Sequence, residues 1–183
     1  GFCVDARPVN YHPPEQMRFF QGYARPGGKV GTRNYLAVIS SVNCSASVSR
    51  YVAERFKGPD FRRDFPNVDG VVAFTHKLGC GIQPGAPHKL LQRVAAGIAR
   101  HPNIAGYVMI GLGCEVNQVQ FIVKDHRLDE LRPGEQPPTF LTIQSTGGVR
   151  KTVEAATAAV ARLVPVANAL RRAPQPISKL ILA

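Results

Sequence analysis

Tryptophan is absent from this 183-residue chain, and aromatic residues make up only 8% of it. A platform on which nucleic-acid bases stack needs aromatics interleaved with basic residues, and no such interleaving occurs here. Acidic residues are scarce as well: 12 Asp and Glu against 23 Lys and Arg leave a formal charge of +11. That excess suits an anionic partner. The basic residues are spread along the chain, with only short pairs such as Arg62-Arg63 and Arg171-Arg172. A small anion or a solvated basic face therefore accounts for them, and no nucleic-acid partner is expected. No run approaches the roughly 18 apolar residues of a membrane span, so no membrane partner is expected either. The opening Gly1-Phe2-Cys3-Val4-Asp5 lacks the basic and apolar regions of a secretory signal. Cysteine is sparse too, at four residues, so the reading is free thiols in a reducing cytoplasm. Cys44, Cys80 and Cys114 are 36 and 34 residues apart, which matches no zinc-finger spacing. The 17 glycines and 15 prolines follow no period, which excludes collagen-like and solenoid architectures.

What is present suffices for one globular core, since 44% of residues are apolar. Residues 1–18 read as a linker arriving from an upstream domain. Phe19 to Asn34 alternate weakly around Arg25-Pro26-Gly27-Gly28, a hairpin signal. Four apolar, β-branched runs follow, near 35–40, 70–74, 107–110 and 139–143. Helical periods separate them. One has Val48, Val52 and Phe56 inward; a second, Pro87–Ala99, has Leu90, Leu91, Val94 and Ile98. A short helix is expected near Asn117–Lys124. A long one starts near Val149 with Val153, Val160 and Leu163 inward, and Pro165 should kink or interrupt it. Continuous apolar strands alternating with helices predict a three-layer αβα domain over 19–172, with a mostly parallel, Rossmann-like sheet and a short N-terminal hairpin. Pro174-Gln175-Pro176 reads as a linker and Ile177–Ala183 as the first strand of a further domain.

In such sheets, sites lie at the carboxyl ends of strands. Cys44, Cys80 and Cys114 each follow a strand by a few residues, so their loops share one sheet edge. Thiolates there suit iron, an iron–sulfur cluster or zinc; the alternative is three small buried hydrophobes. His76, in the loop before Cys80, reads as a general base, a ligand or a loop-packing residue. Gly111-Leu112-Gly113 carries only part of a dinucleotide fingerprint, and its glycines more simply let the backbone approach something closely. The Ser145–Thr152 turn lacks phosphate-loop spacing, but the helix start beyond it can hold a carboxylate. Arg33 and Asn34 sit at the wrong sheet edge for a site and read as an anchor.

Four stretches then resemble a known family. GYARPGGKVGTRNYLAVISSVNCSASV (Gly22–Val48), NVDGVVAFTHKLGCG (Asn67–Gly81), HPNIAGYVMIGLGCEVNQ (His101–Gln118) and TIQSTGGVRKTVE (Thr142–Glu154) resemble the altronate/galactarate dehydratase family, which includes the large subunit of sulfolactate sulfo-lyase. The resemblance implies the second domain of a longer hydro-lyase, with N- and C-terminal domains of the same enzyme as its partners and a homo-oligomer left open. It implies an aldonate or aldarate substrate, a small anion, giving a 2-keto-3-deoxy acid. It implies iron, as a cluster or Fe2+, with Mn2+ as a variant, for which Cys44, Cys80 and Cys114 are the candidate ligands, with His76 the candidate catalytic group. Asn43, Lys77, Glu115, Asn117, Gln118, Gly147 and Gly148 are its implied substrate or domain contacts. Leu78 departs from the small or polar residue expected there. A sulfo-lyase acting on sulfolactate and a non-catalytic nucleotide-binding or structural domain are the alternatives.

Overall fold

The computed structural model describes residues 13–131 and 134–181, together with Pro8 and Asn10. Most of the expected linker, Cys3 with it, lies outside the described residues, as do Leu182 and Ala183.

The core is a four-stranded parallel sheet in the order β4-β3-β5-β6, where β3 is Tyr35–Ser40, β4 Gly70–Phe74, β5 Ile104–Gly111 and β6 Thr139–Thr142. The apolar run Tyr35-Leu36-Ala37-Val38-Ile39 forms a central strand because it has no polar side to give to water. Its side chains alternate between two layers. Leu36 and Val38, with Val108 and Ile110 of β5, face α1 (Ala46–Glu54) and α6 (Val149–Ala169), the long helix that follows the one-turn α5 (Ile143–Thr146). Ala37 and Ile39, with Met109, face α3 (Ala86–Ala99) and α4 (Val119–His126). The expected three-layer αβα domain is the observed one.

The hairpin is also present. β1 (Phe19–Ala24) turns through Pro26–Gly28 into β2 (Val30–Gly31). A third strand joins it: β7, Ala173–Pro176, pairs antiparallel with β1. The sequence reading placed a linker there and a strand at 177–183. Instead Ile177–Lys179 is a 3-10 turn. Pro174 and Pro176 suggested a break, but β7 is the outer strand of its sheet, where a missing N–H costs little.

Three further differences have physical causes. The short helix α2, Pro59–Asp64, carries no period to read, yet Phe61 packs edge-on to Phe56 and beside Phe65. Helix α3 turns the small face Ala95, Ala96 and Ala99, with Leu91 and Gln92, to the core, leaving Leu90 and Val94 at 58% and 50% exposure. Helix α6 runs unbroken past Pro165, because Leu163, Val164 and Ala167 on either side of it are buried.

Among the described residues no helix is long and apolar enough to cross a membrane.

A thiol-lined candidate site at the strand ends

The strand order creates a crevice. From β3 the chain leaves through α1 on one face, and from β5 through α4 on the other, so the two loops part above adjacent strands. Such a switch point is where open α/β sheets bind ligands. Cys44 sits on the first of these loops, in a 3-10 turn over Asn43–Ser45, and Cys114 sits on the second. Cys80 lies on the loop after β4. All three are free, exposed thiols. The Cys44 thiol is pushed up by desolvation and by the Cys80 and Cys114 thiols. The strand order β4-β3-β5 makes Cys44 the middle member of a rim of three thiol-bearing loops. As the side chains stand, no three His, Cys, Asp or Glu among the described residues are gathered to hold a metal ion.

Beneath the rim the loops are bonded to one another. Asn43 N–H donates to the carbonyl of Leu78 at 2.9 Å. Gly79, at φ +107°, brings the Cys80 loop so close that a Cβ would press on the Ser41 carbonyl and Val42. Ser41 N–H extends the sheet by donating to Ile110 at 3.0 Å. Its hydroxyl donates to Glu115 Oε1 at 2.8 Å. Glu115 also accepts from the N–H groups of Leu112 at 3.2 Å and Gly113 at 2.6 Å. The carboxylate reaches this place because Gly111 has no side chain: a Cβ there would collide with Glu115 Oε1. The fourth loop joins through Gln144 N–H, which donates to Leu112 at 3.0 Å.

The expected site residues thus have different stations. Asn43 and Lys77 are exposed beside the thiols, and Gln118 is half-buried at the start of α4, where its side chain accepts from Gln120. His76 is fastened: Leu78 N–H donates to Nδ1 at 3.2 Å, and Nε2 donates to the Ser40 carbonyl at 3.1 Å. The ring is the Nε2–H tautomer with both nitrogens engaged, and it pins the Cys80 loop to β3. Two residues expected to touch substrate are buried instead. Glu115 is 2% exposed and turned into the floor, bonded to its own loop and to Ser41; Asn117 is fully buried, with neither polar atom of its amide hydrogen-bonded among the described residues. Charge and polarity in a loop read as availability, and the close approach at Gly111 that draws Glu115 inward cannot be seen in a linear chain. Gly147 and Gly148 sit at the start of α6, whose first turn has no side-chain cap and carries Arg150 and Lys151. Ser41 was missed. Its one sequence signal was its place immediately after an apolar strand.

Recesses also lie elsewhere among the described residues. A cavity of about 140 Å³ opens at the opposite sheet edge between Arg25, Arg100, Tyr107 and Leu170. A shallower one follows β6 and α4, past Phe140 and Thr142. Neither contains a thiol. At that opposite edge Asn34 is the buried anchor expected of it, bonded to Arg25, Asn67 and Ala167.

A doubly wound parallel sheet with a switch-point crevice defines the class: an open three-layer α/β domain, here with exposed thiols on the loops after the strands. Residues 22–168 match the family described as D-galactarate dehydratase/Altronate hydrolase, second domain, and the chain belongs to that family. It is 37% identical to altronate dehydratase of Escherichia coli over 102 residues, 56% of this chain and 20% of that one. It is 32% identical to altronate dehydratase of Bacillus subtilis over 104 residues, 57% of this chain and 20% of that one. A third relative, the (2R)-sulfolactate sulfo-lyase subunit beta of Chromohalobacter salexigens, is 28% identical over 163 residues, 89% of this chain and 36% of that one. The matched region therefore spans about a fifth to a third of these relatives.

Proposed function

We propose that this chain is the thiol-bearing central domain of a cytoplasmic sugar-acid hydro-lyase of the altronate or galactarate dehydratase type, which removes water from an aldonate or aldarate to give a 2-keto-3-deoxy acid. The observation that carries this reading is the placement of three exposed thiols, Cys44, Cys80 and Cys114, on the loops after three adjacent strands of a domain matched to that family. The donor set fits a soft metal or an iron–sulfur cluster by its chemistry. Cys44, Cys80 and Cys114 would hold the group, iron foremost, which supplies Lewis acidity toward the leaving hydroxyl.

The chain's own residues do the rest. The net positive charge attracts the substrate carboxylates, and Lys77 and Asn43 are exposed to meet them beside the thiols. The uncapped start of α6, after Gly147 and Gly148, offers backbone N–H groups to a second carboxylate. His76 is the candidate base for the proton next to the carboxylate, and takes that role by giving up the Leu78 N–H bond at Nδ1. The remaining domains of the enzyme close over the rim, so this domain alone is inactive.

A second reading, a sulfo-lyase acting on sulfolactate, is favoured by the longer aligned stretch of its relative. A structural or nucleotide-binding domain has no need of exposed thiols at three adjacent strand ends. The test is to offer altronate, galactarate and sulfolactate separately to the anaerobically purified full-length enzyme. Release of a 2-keto-3-deoxy acid from a sugar acid supports the proposal. Release of sulfite from sulfolactate alone replaces it with the second reading.

A further inference from the structure

We propose that Glu115 and Ser41 form a positioning pair that sets the distance between the Cys44 and Cys114 loops, so that the rim is preorganised for its ligand; this rests on reading the rim as metal-holding. A carboxylate that only closed its own turn would need the N–H groups of Leu112 and Gly113 and no more. Glu115 makes a third bond, to the hydroxyl of Ser41 on the neighbouring loop. That bond joins two loops that part toward opposite faces of the sheet, and adds a side-chain link to the backbone bond from Ser41 N–H to Ile110. Cys114 is next to Glu115 in sequence, and Cys44 lies one tight turn beyond Ser41.

The turn transmits the position. Ser45 Oγ donates to the Val42 carbonyl at 2.9 Å and Ser45 N–H to the same oxygen at 3.1 Å, so residues 42–45 move as a block. Ser41, Ser45 and Glu115 are all buried while the three thiols are exposed. The polar links are therefore in the dry floor of the crevice, where a charge-assisted hydrogen bond is strong. Side chains that orient metal ligands in this way change metal affinity by about 10–100-fold when removed.

Ser41→Ala removes the link between loops and leaves Glu115 its two backbone donors. Glu115→Gln keeps the volume but sets an amide N–H against a backbone N–H. Circular dichroism melts identify which variants fold; Ser41→Ala carries the test where Glu115→Gln does not. In the full chain with Cys3 and Cys80 replaced by Ser, a short bifunctional maleimide bridges Cys44 to Cys114, mapped by peptide mass. The expected result is bridging at least about tenfold slower in the folded variants. A rate within twofold of the parent overturns the positioning pair. Separately, cobalt(II) titrated into the chain with all cysteines intact should give a thiolate-to-metal absorption band, with affinity about 10–100-fold weaker in Ser41→Ala. A parent without that band, alongside slowed bridging, removes the metal reading and leaves the positioning pair in place.

Discussion

Asn34 uses every hydrogen-bonding atom of its side chain inside the protein. Nδ2 donates to the carbonyls of Asn67 at 2.6 Å and Ala167 at 2.9 Å, and Oδ1 accepts from Arg25 at 2.8 Å. One side chain thereby ties the hairpin, the approach to β4 and the end of α6. Asn34→Ala removes three hydrogen bonds at once and leaves the Asn67 and Ala167 carbonyls only their longer bonds, from the Tyr23 hydroxyl at 3.5 Å and Leu170 N–H at 3.2 Å, each lost bond costing on the order of 1 kcal/mol. We expect a loss of about 3 kcal/mol in urea unfolding. The neighbouring ion pair of Arg33 and Asp69 lies at the surface, and Arg33→Ala should cost under about 1 kcal/mol. Equal costs for the two variants would contradict the anchor role of Asn34. The sequence made this anchor readable through its position at the amino edge of β3. It hid the partners, which are 33 and 133 residues away.

At the scale of elements, strands were more legible than helix faces. Four short runs rich in apolar residues and bounded by turn residues read as strands, and three of the four parallel strands begin or end at the expected residues. Helix α3 was read by its largest side chains, whereas close packing on the sheet selected its smallest. Leu90→Gln, on the exposed face, should change stability by less than about 0.5 kcal/mol. Ala96→Leu, on the buried face, should cost about 1–3 kcal/mol by overpacking. Thermal melts of the two variants check the orientation of the helix, and the reverse order of effects contradicts it. Helix α6 tolerates Pro165 because its neighbours are buried, although the ring still deprives Ala161 of its helical donor. Proline in a helix interior costs about 3 kcal/mol, and this one is exposed and packs little. Pro165→Ala should therefore raise the urea midpoint by an amount equivalent to about 1–3 kcal/mol; a lowered midpoint would show that the ring is needed.

For the molecule as a whole, the sequence carried the family and the edge of the sheet on which the thiols lie. Each cysteine follows a strand, and parallel strands place their carboxyl ends together. It did not carry the loop floor. Ser41, Glu115 and His76 are ordinary polar residues until the fold packs them, and their bonds to Gly113, Leu112, Ser40 and Leu78 depend on which strands are neighbours. The central claim is that the rim of Cys44, Cys80 and Cys114 holds the metal on which dehydration depends. The most direct test measures bound iron together with sugar-acid turnover in the anaerobically purified full-length enzyme carrying Cys44→Ala, Cys80→Ala or Cys114→Ala. Each replacement should remove the iron and the turnover while the domain stays folded, at a stability cost under about 0.5 kcal/mol because the thiols are exposed. Full iron content and normal turnover in all three variants would contradict the claim.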